Sequence, residues 1–97
     1  MKNGYKILWT DFALQELKKT ISYLEENWTP TEIQNLAIKI EEILSLISQN
    51  PNLFQVSEFK KEIRRVVILS HNTMYYRVNN NQIEIISFYS NRQKTKK

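Results

Sequence analysis

A chain of 97 residues, 41% hydrophobic and 25% charged, has room for one domain with one modest core, and its composition excludes extensive disorder. It has no cysteine, which excludes disulfide staples and thiolate metal sites, and its longest aliphatic run, Val66-Val67-Ile68-Leu69, is far too short to span a membrane. The net charge of +4 is unevenly spread: residues 1–57 carry five lysines against seven acids, a net of −2, and residues 58–97 carry nine Lys/Arg against three Glu, a net of +6. The basic part fits an anionic surface or an acidic partner segment, carried on a slightly acidic helical support.

Met1-Lys2-Asn3-Gly4 leads straight into a strand pattern, so no signal peptide is expected and a cytoplasmic protein is the default. Tyr5-Lys6-Ile7-Leu8-Trp9 alternates and is rich in strand formers, which predicts a first strand. Thr10 stands at a helix N-cap position, with Asp11 near the positive end of the helix dipole. Leu14, Leu17, Ile21, Leu24 and Trp28 recur at spacings of three and four and predict one apolar stripe on the first helix.

Thr29-Pro30-Thr31-Glu32 reads as a capping box, with Thr29 as cap, Pro30 at the first helical position and Glu32 reaching back. Ile33, Leu36, Ala37, Ile40, Ile43, Leu44 and Ile47 form the apolar face of this second helix, which Asn50-Pro51-Asn52 ends. The very short link between the helices requires an antiparallel hairpin. Residues 53–61 read as a loop whose Leu53, Phe54, Val56 and Phe59 tuck against the core edge.

Three strands follow, Glu62–Ser70, Thr73–Asn79 and Gln82–Ser90, joined by Ser70-His71-Asn72 and Asn79-Asn80-Asn81, and residues 91–97 form a basic tail. Short Asn-rich loops suit antiparallel hairpins because Asn tolerates positive φ. The expected fold is α+β in the order β-α-α-β-β-β: an N-terminal strand, a helical hairpin and a three-stranded antiparallel meander, with the helices on one sheet face and all of residues 1–97 in a single domain. Parity assigns Met74, Tyr76 and Val78 to the core and Thr73, Tyr75 and Arg77 to a half-open face. It selects no polar face between Arg64 and Arg65, and Glu84 interrupts an apolar run in the last strand.

Arg64, Arg65, Arg77 and Arg92 are the cations available to the open face, with Tyr75 and Tyr89 among them. Arginine forks match phosphates, and tyrosine rings offer stacking surfaces for unpaired bases. Equally, each arginine has Glu58, Glu62 or Glu84 near it in sequence to pair with, and the tyrosines suit half-buried sheet positions. Histidine is the side chain whose ordinary range lies near neutrality, which offers His71, the one histidine, as a candidate general base, but a lone turn histidine without a partner acid reads first as a surface residue. No metal-ligand spacing is visible, and no metal or cofactor is expected.

The stretch Tyr5-Lys6-Ile7-Leu8-Trp9-Thr10-Asp11 with Ala13 and Leu17, the helix ending Leu46-Ile47-Ser48-Gln49-Asn50-Pro51, the hairpin residues Tyr76-Arg77-Val78, Ile83-Glu84-Ile85-Ile86-Ser87-Phe88 and the terminal Asn91-Arg92-Gln93 come in an order that resembles the RelE/ParE family of bacterial type II toxins. The likeness covers nearly the whole chain. It implies a small cytoplasmic toxin neutralised by an antitoxin encoded beside it, alone as a homodimer or with the antitoxin as a hetero-oligomer, with no membrane partner. RelE-like members cut messenger RNA on the ribosome, whereas ParE-like members poison DNA gyrase.

The chain departs from the RelE-like pattern in its chemistry. A family arginine on the third strand aligns with Thr73, a second aligns near Asn91 with Arg92 one step away, and the distal tyrosine has no counterpart. The resemblance is therefore closer to the ParE-like branch, a binding protein in which Arg64, Arg65, Tyr75, Arg77, Arg92, Lys94 and Lys96 contact target or antitoxin. The alternatives left open are a messenger RNA endonuclease using Arg64 or Arg65, Arg77, Arg92 and His71 or Tyr89, and a non-toxic member that retains only antitoxin binding.

Overall fold

The computed structural model describes residues 4–27, 29–57, 60, 62–69 and 72–90. Its elements are β1 (Lys6–Trp9), α1 (Asp11–Asn27), α2 (Pro30–Gln49), β2 (Arg64–Ile68), β3 (Asn72–Asn79) and β4 (Gln82–Ser90). The four strands form one mixed sheet in the order β1-β4-β3-β2. The β2-β3-β4 meander is antiparallel, and β1 lies parallel to β4 with Ile7 opposite Ile83 and Trp9 opposite Ile85. The expected α+β architecture, with helices on one face of a mainly antiparallel sheet, is what forms.

The helix starts follow the sequence closely. Thr10 Oγ1 accepts from Ala13 N at 3.2 Å and also donates to Ile85 O at 3.0 Å, so one hydroxyl caps α1 and ties it to β4. Thr29 caps α2, accepting from Glu32 N at 3.4 Å, with Pro30 at the first helical position. Leu36, Ile40, Ile43 and Ile47 of α2 are buried against Val66, Ile68, Met74, Tyr76, Ile83, Ile85 and Phe88 of the sheet. Each such aliphatic side chain contributes about 1.5–3 kcal/mol when fully buried.

The buried stripe of α1 is rotated from the expected one. Ala13, Thr20 and Leu24 are buried and Leu17 packs against them, but Leu14 is 38% exposed, and Trp28 lies outside the described residues. Small Ala13 allows close approach to the sheet, and the buried Thr20 hydroxyl is satisfied by donating to Glu16 O at 3.1 Å. Among the described residues of the following loop, Phe54 packs on the core while Leu53 and Val56 stay exposed; Phe59 lies outside the described residues. The loop spends its backbone rather than its side chains on the fold. Residues 55–57 run along the outer edge of β2, where Ser57 N donates to Ile63 O and Arg65 N to Gln55 O.

Val78, expected in the core, is 38% exposed, because it lies where the β3-β4 hairpin extends toward its turn. Asn80 in that turn takes φ of 61°, the conformation for which Asn is suited. The uneven pattern of β4 has a single cause. Tyr75 pairs with Ser87 and Tyr76 with Ile85, so Ile86 is the extra residue of a β-bulge. The bulge switches the buried positions from Ile83 and Ile85 to Phe88 and Ser90.

Candidate functional site: the open face of the sheet

The face away from the helices is built from the alternate residues of each strand. Arg65 lies opposite Tyr75, Val67 opposite Thr73 and Thr73 opposite Tyr89. Arg77 lies opposite Glu84, which lies opposite Leu8 of β1. Arg65, Tyr75 and Tyr89 are half-buried, while Thr73 is buried between its neighbours Val67 and Tyr89. Among the described residues the Arg65 guanidinium has no hydrogen-bond or ion-pair partner.

Among the described residues the arginines do not converge. Arg64 leaves the group by parity, since Val66 and Ile68 on its side of β2 are buried in the core. It sits opposite Tyr76 and donates through Nη1 to Phe54 O at 2.6 Å. Tyr76 in turn donates to Pro51 O at 2.9 Å, so the pair pins the loop after α2 to the sheet. Burial pushes the Tyr76 phenol above the usual tyrosine range, and the nearby Arg64 charge partly opposes that. The expectation that Arg64 and Arg65 share the open face therefore fails, because adjacent strand residues point to opposite faces.

Arg77 remains on the open face but is occupied. Its Nε donates to Glu84 Oε1 at 2.7 Å, and this bond, with the Arg77 charge and the Asn79 side chain, holds the Glu84 carboxyl below the usual range. His71, Arg92, Lys94 and Lys96 lie outside the described residues. Among the described residues no three His, Asp or Glu side chains gather as metal ligands do. Nor is any helix there long and apolar enough to cross a membrane.

Glu16, which no motif in the sequence marks, ties β4 to α1. Past the end of β1, the edge of β4 is taken over by α1. Glu16 Oε1 accepts from Phe88 N at 2.6 Å and from Ser87 Oγ at 2.9 Å, satisfying the backbone at the bulge. Only the i, i+3 relation of Glu16 to the Ala13 contact hinted that an acid would sit on the sheet side of α1.

Residues 7–95 match the family described as ParE toxin of type II toxin-antitoxin system, parDE. A comparison with curated proteins finds no match. Among solved structures, the chromosomal ParDE TA system from P. aeruginosa is similar with a TM-score of 0.74 and 16% identity, over 89% of this chain and 95% of that one. The YoeB/ParE toxin from Agrobacterium tumefaciens is similar with a TM-score of 0.63 and 12% identity, over 88% and 96%. The heterotetrameric YoeB-YefM toxin-antitoxin complex from Staphylococcus aureus gives 0.59 and 21%, over 88% and 94%. At these identities the solved structures establish the shared fold, and the family match over nearly the whole length establishes the rest: this chain belongs to the ParE toxin family of type II toxin-antitoxin systems.

Proposed function

We infer that this chain arrests growth in the cytoplasm by binding DNA gyrase, without a reaction of its own, and that a cognate antitoxin neutralises it. The observation that carries this reading is the dispersal of the arginines. Cleavage of RNA by its 2′-hydroxyl needs cations gathered on one phosphate together with a base and an acid. Here Arg64 is spent on Phe54 O, Arg77 on Glu84, and the third-strand position of the nuclease branch is a buried threonine, Thr73. Among the described residues the open face carries Arg65, Tyr75 and Tyr89, a surface suited to contact rather than to proton transfer. The antitoxin partner is supported by family membership and by the toxin-antitoxin complex among the structures of similar fold.

The test is supercoiling of relaxed plasmid by purified gyrase, with this protein titrated to large excess. Inhibition that the antitoxin relieves is expected. A folded sample that leaves both supercoiling and gyrase-dependent cleavage untouched overturns the reading. In that case, codon-positioned cuts in translated messages would assign the chain to the nuclease branch, and absence of growth arrest on induction would make it a silent member.

A further inference from the structure

The extra residue in β4 decides what the open face carries. Ahead of Ile86 the core-facing residues of β4 are Ile83 and Ile85; beyond it they are Phe88 and Ser90. Strict alternation along β4 would turn Phe88 and Ser90 outward and Tyr89 into the core. The bulge instead brings Tyr89 onto the open face opposite Thr73, which lies opposite Val67 on its other side. Tyr75, two residues along β3, is the diagonal neighbour of Tyr89, a spacing that aromatic side chains bridge. Bulges re-aim side chains in this way, and they leave backbone groups without a ladder partner. Helix α1 supplies partners on both sides of the extra residue. Thr10 Oγ1 donates to Ile85 O at 3.0 Å and lies 3.4 Å from Ile86 O, and Glu16 Oε1 accepts from Phe88 N and Ser87 Oγ. Ser87 lies opposite Tyr75, so this clamp ends beside the two tyrosines. The buried Phe88 ring holds the inner side of the strand, and Glu16 holds the amide from which Tyr89 leaves it.

The face so built has the make-up of a protein-binding surface. Tyrosine and arginine dominate protein–protein affinity, and they do so among neighbours that exclude water. Here Val67 and Leu8 are exposed on the same face. Charge separates a protein from a nucleic acid as the occupant. Gripping a nucleic-acid backbone takes several cations free to displace counterions. Among the described residues Arg77 is held by Glu84, Arg64 lies on the other face, and Lys6 stands at the far corner beside Gln82. Arg65 is the one arginine of the face without a partner there. One free guanidinium beside two tyrosines calls for a single carboxylate in an otherwise neutral surface.

We propose that the open face is where gyrase is held: a protein surface of gyrase, not its DNA, docks on Tyr75 and Tyr89 and places a carboxylate on Arg65, and Glu16 is the positioning residue that keeps Tyr89 turned outward. This rests on the gyrase reading above and adds to it the contact surface, the chemistry of the partner surface and a residue that acts from behind the face without touching the target.

The experiment measures binding of the full chain to purified gyrase by calorimetry, with and without duplex DNA, at a temperature where circular dichroism shows each variant folded. The variants are Arg65→Glu, Tyr89→Ala, Glu16→Ala, Glu16→Gln and the double variant Glu16→Ala with Tyr89→Ala. The wild type should bind without DNA. Kd should rise by about tenfold for Arg65→Glu, less at high salt, and by about thirtyfold for Tyr89→Ala. Folded Glu16→Ala should lose about fivefold, and Glu16→Gln, which keeps an acceptor for the Phe88 N–H, less than that. With Tyr89 already alanine, Glu16→Ala should change Kd no further, a coupling that a role in stability alone does not produce. Effects of Glu16→Ala and Tyr89→Ala that multiply independently overturn the positioning role. Binding that requires DNA and falls steeply with salt gives the face to nucleic acid and overturns the protein partner. Unchanged Kd for folded Arg65→Glu and Tyr89→Ala overturns the whole proposal and leaves the gyrase reading standing. A wild type that neither binds nor inhibits gyrase overturns both. Arg65 has no partner among the described residues, so its variant decides the matter even where the tyrosine variant does not fold.

Discussion

Replacing Glu16 by alanine removes the acceptor that α1 offers to the bulge in β4. Two bonds end on its Oε1, from Phe88 N at 2.6 Å and Ser87 Oγ at 2.9 Å. The serine hydroxyl can rotate to another acceptor, but the Phe88 N–H is fixed by the backbone next to a fully buried ring. Counting that bond alone, as one to a charged group, the cost is about 2 kcal/mol. For a domain of this size that lowers Tm by roughly 8–16 °C. Glu16→Gln keeps an amide oxygen in place and should lose about half as much, since bonds to ionised groups are roughly twice as strong as neutral ones. Calorimetric melts of the three proteins, with exchange of the Phe88 amide as a local probe, decide the matter. An alanine variant that melts with the wild type and keeps Phe88 protected refutes the claim that Glu16 closes the edge of β4.

Tyr76→Phe frees the Pro51 carbonyl and should cost about 1 kcal/mol in urea unfolding. Because burial raises the Tyr76 phenol, it stays neutral in the fold at pH values where the unfolded chain has begun to ionise; stability is full below about pH 10 and falls as pH rises past it. The phenylalanine variant should lose that part of the alkaline decline, read from Tm against pH. Glu84 behaves oppositely: its carboxyl is held low by Arg77, so its contribution is full above the ordinary glutamate range and is lost as pH falls through it. Arg77→Ala should lower Tm by a small amount at neutral pH and leave it unchanged below the glutamate range, so that the acid limb of the Tm–pH curve flattens by that same small amount, since the pair is partly exposed. A Cβ on Gly4 would stand 2.1 Å from Ser48 Oγ, whose hydroxyl donates to Tyr5 O at 2.8 Å. Gly4→Ala should therefore break that bond and destabilise by about 1 kcal/mol, less so in a Ser48→Ala background, as a double-mutant cycle would read.

How much of this was legible from the sequence differs from element to element, for physical reasons. The second helix is readable in its start and rotation, because Thr29-Pro30 marks the one and the apolar face the other, although Ala37 of that face is exposed and among the described residues the Glu32 side chain makes no return bond to Thr29. The first helix is readable at Leu17 and Leu24 but not at its start, since Ala13 and Leu14 are adjacent and only the sheet's demand for a small side chain decides between them. In Arg64-Arg65-Val66-Val67-Ile68 both parities are alike, so the face of each arginine is set by the pairing with β3 and not by local pattern. The bulge at Ile86 was hidden because it changes the period midway through a strand, which reads as noise in a periodicity test. Of the candidate site, Arg65, Tyr75, Arg77 and Tyr89 do share a face, Arg64 does not, and the Glu16 contact spans 72 positions of chain that no local rule connects.

The order β1-β4-β3-β2 places β4 in the interior of the sheet, between β1 and β3, although it is translated after every element it joins. Until it emerges from the ribosome, β1 has no strand to pair with, Thr10 lacks the carbonyl of Ile85, and the apolar faces of both helices lack Ile83, Ile85 and Phe88. The nascent chain must therefore carry its helices and first strand unburied, a state of high contact order that folds late and is exposed to aggregation meanwhile. A chain interrupted before β4 lacks the strand that joins β1 to the rest of the sheet, so the folded surface comes into being only when translation has run past Ser90.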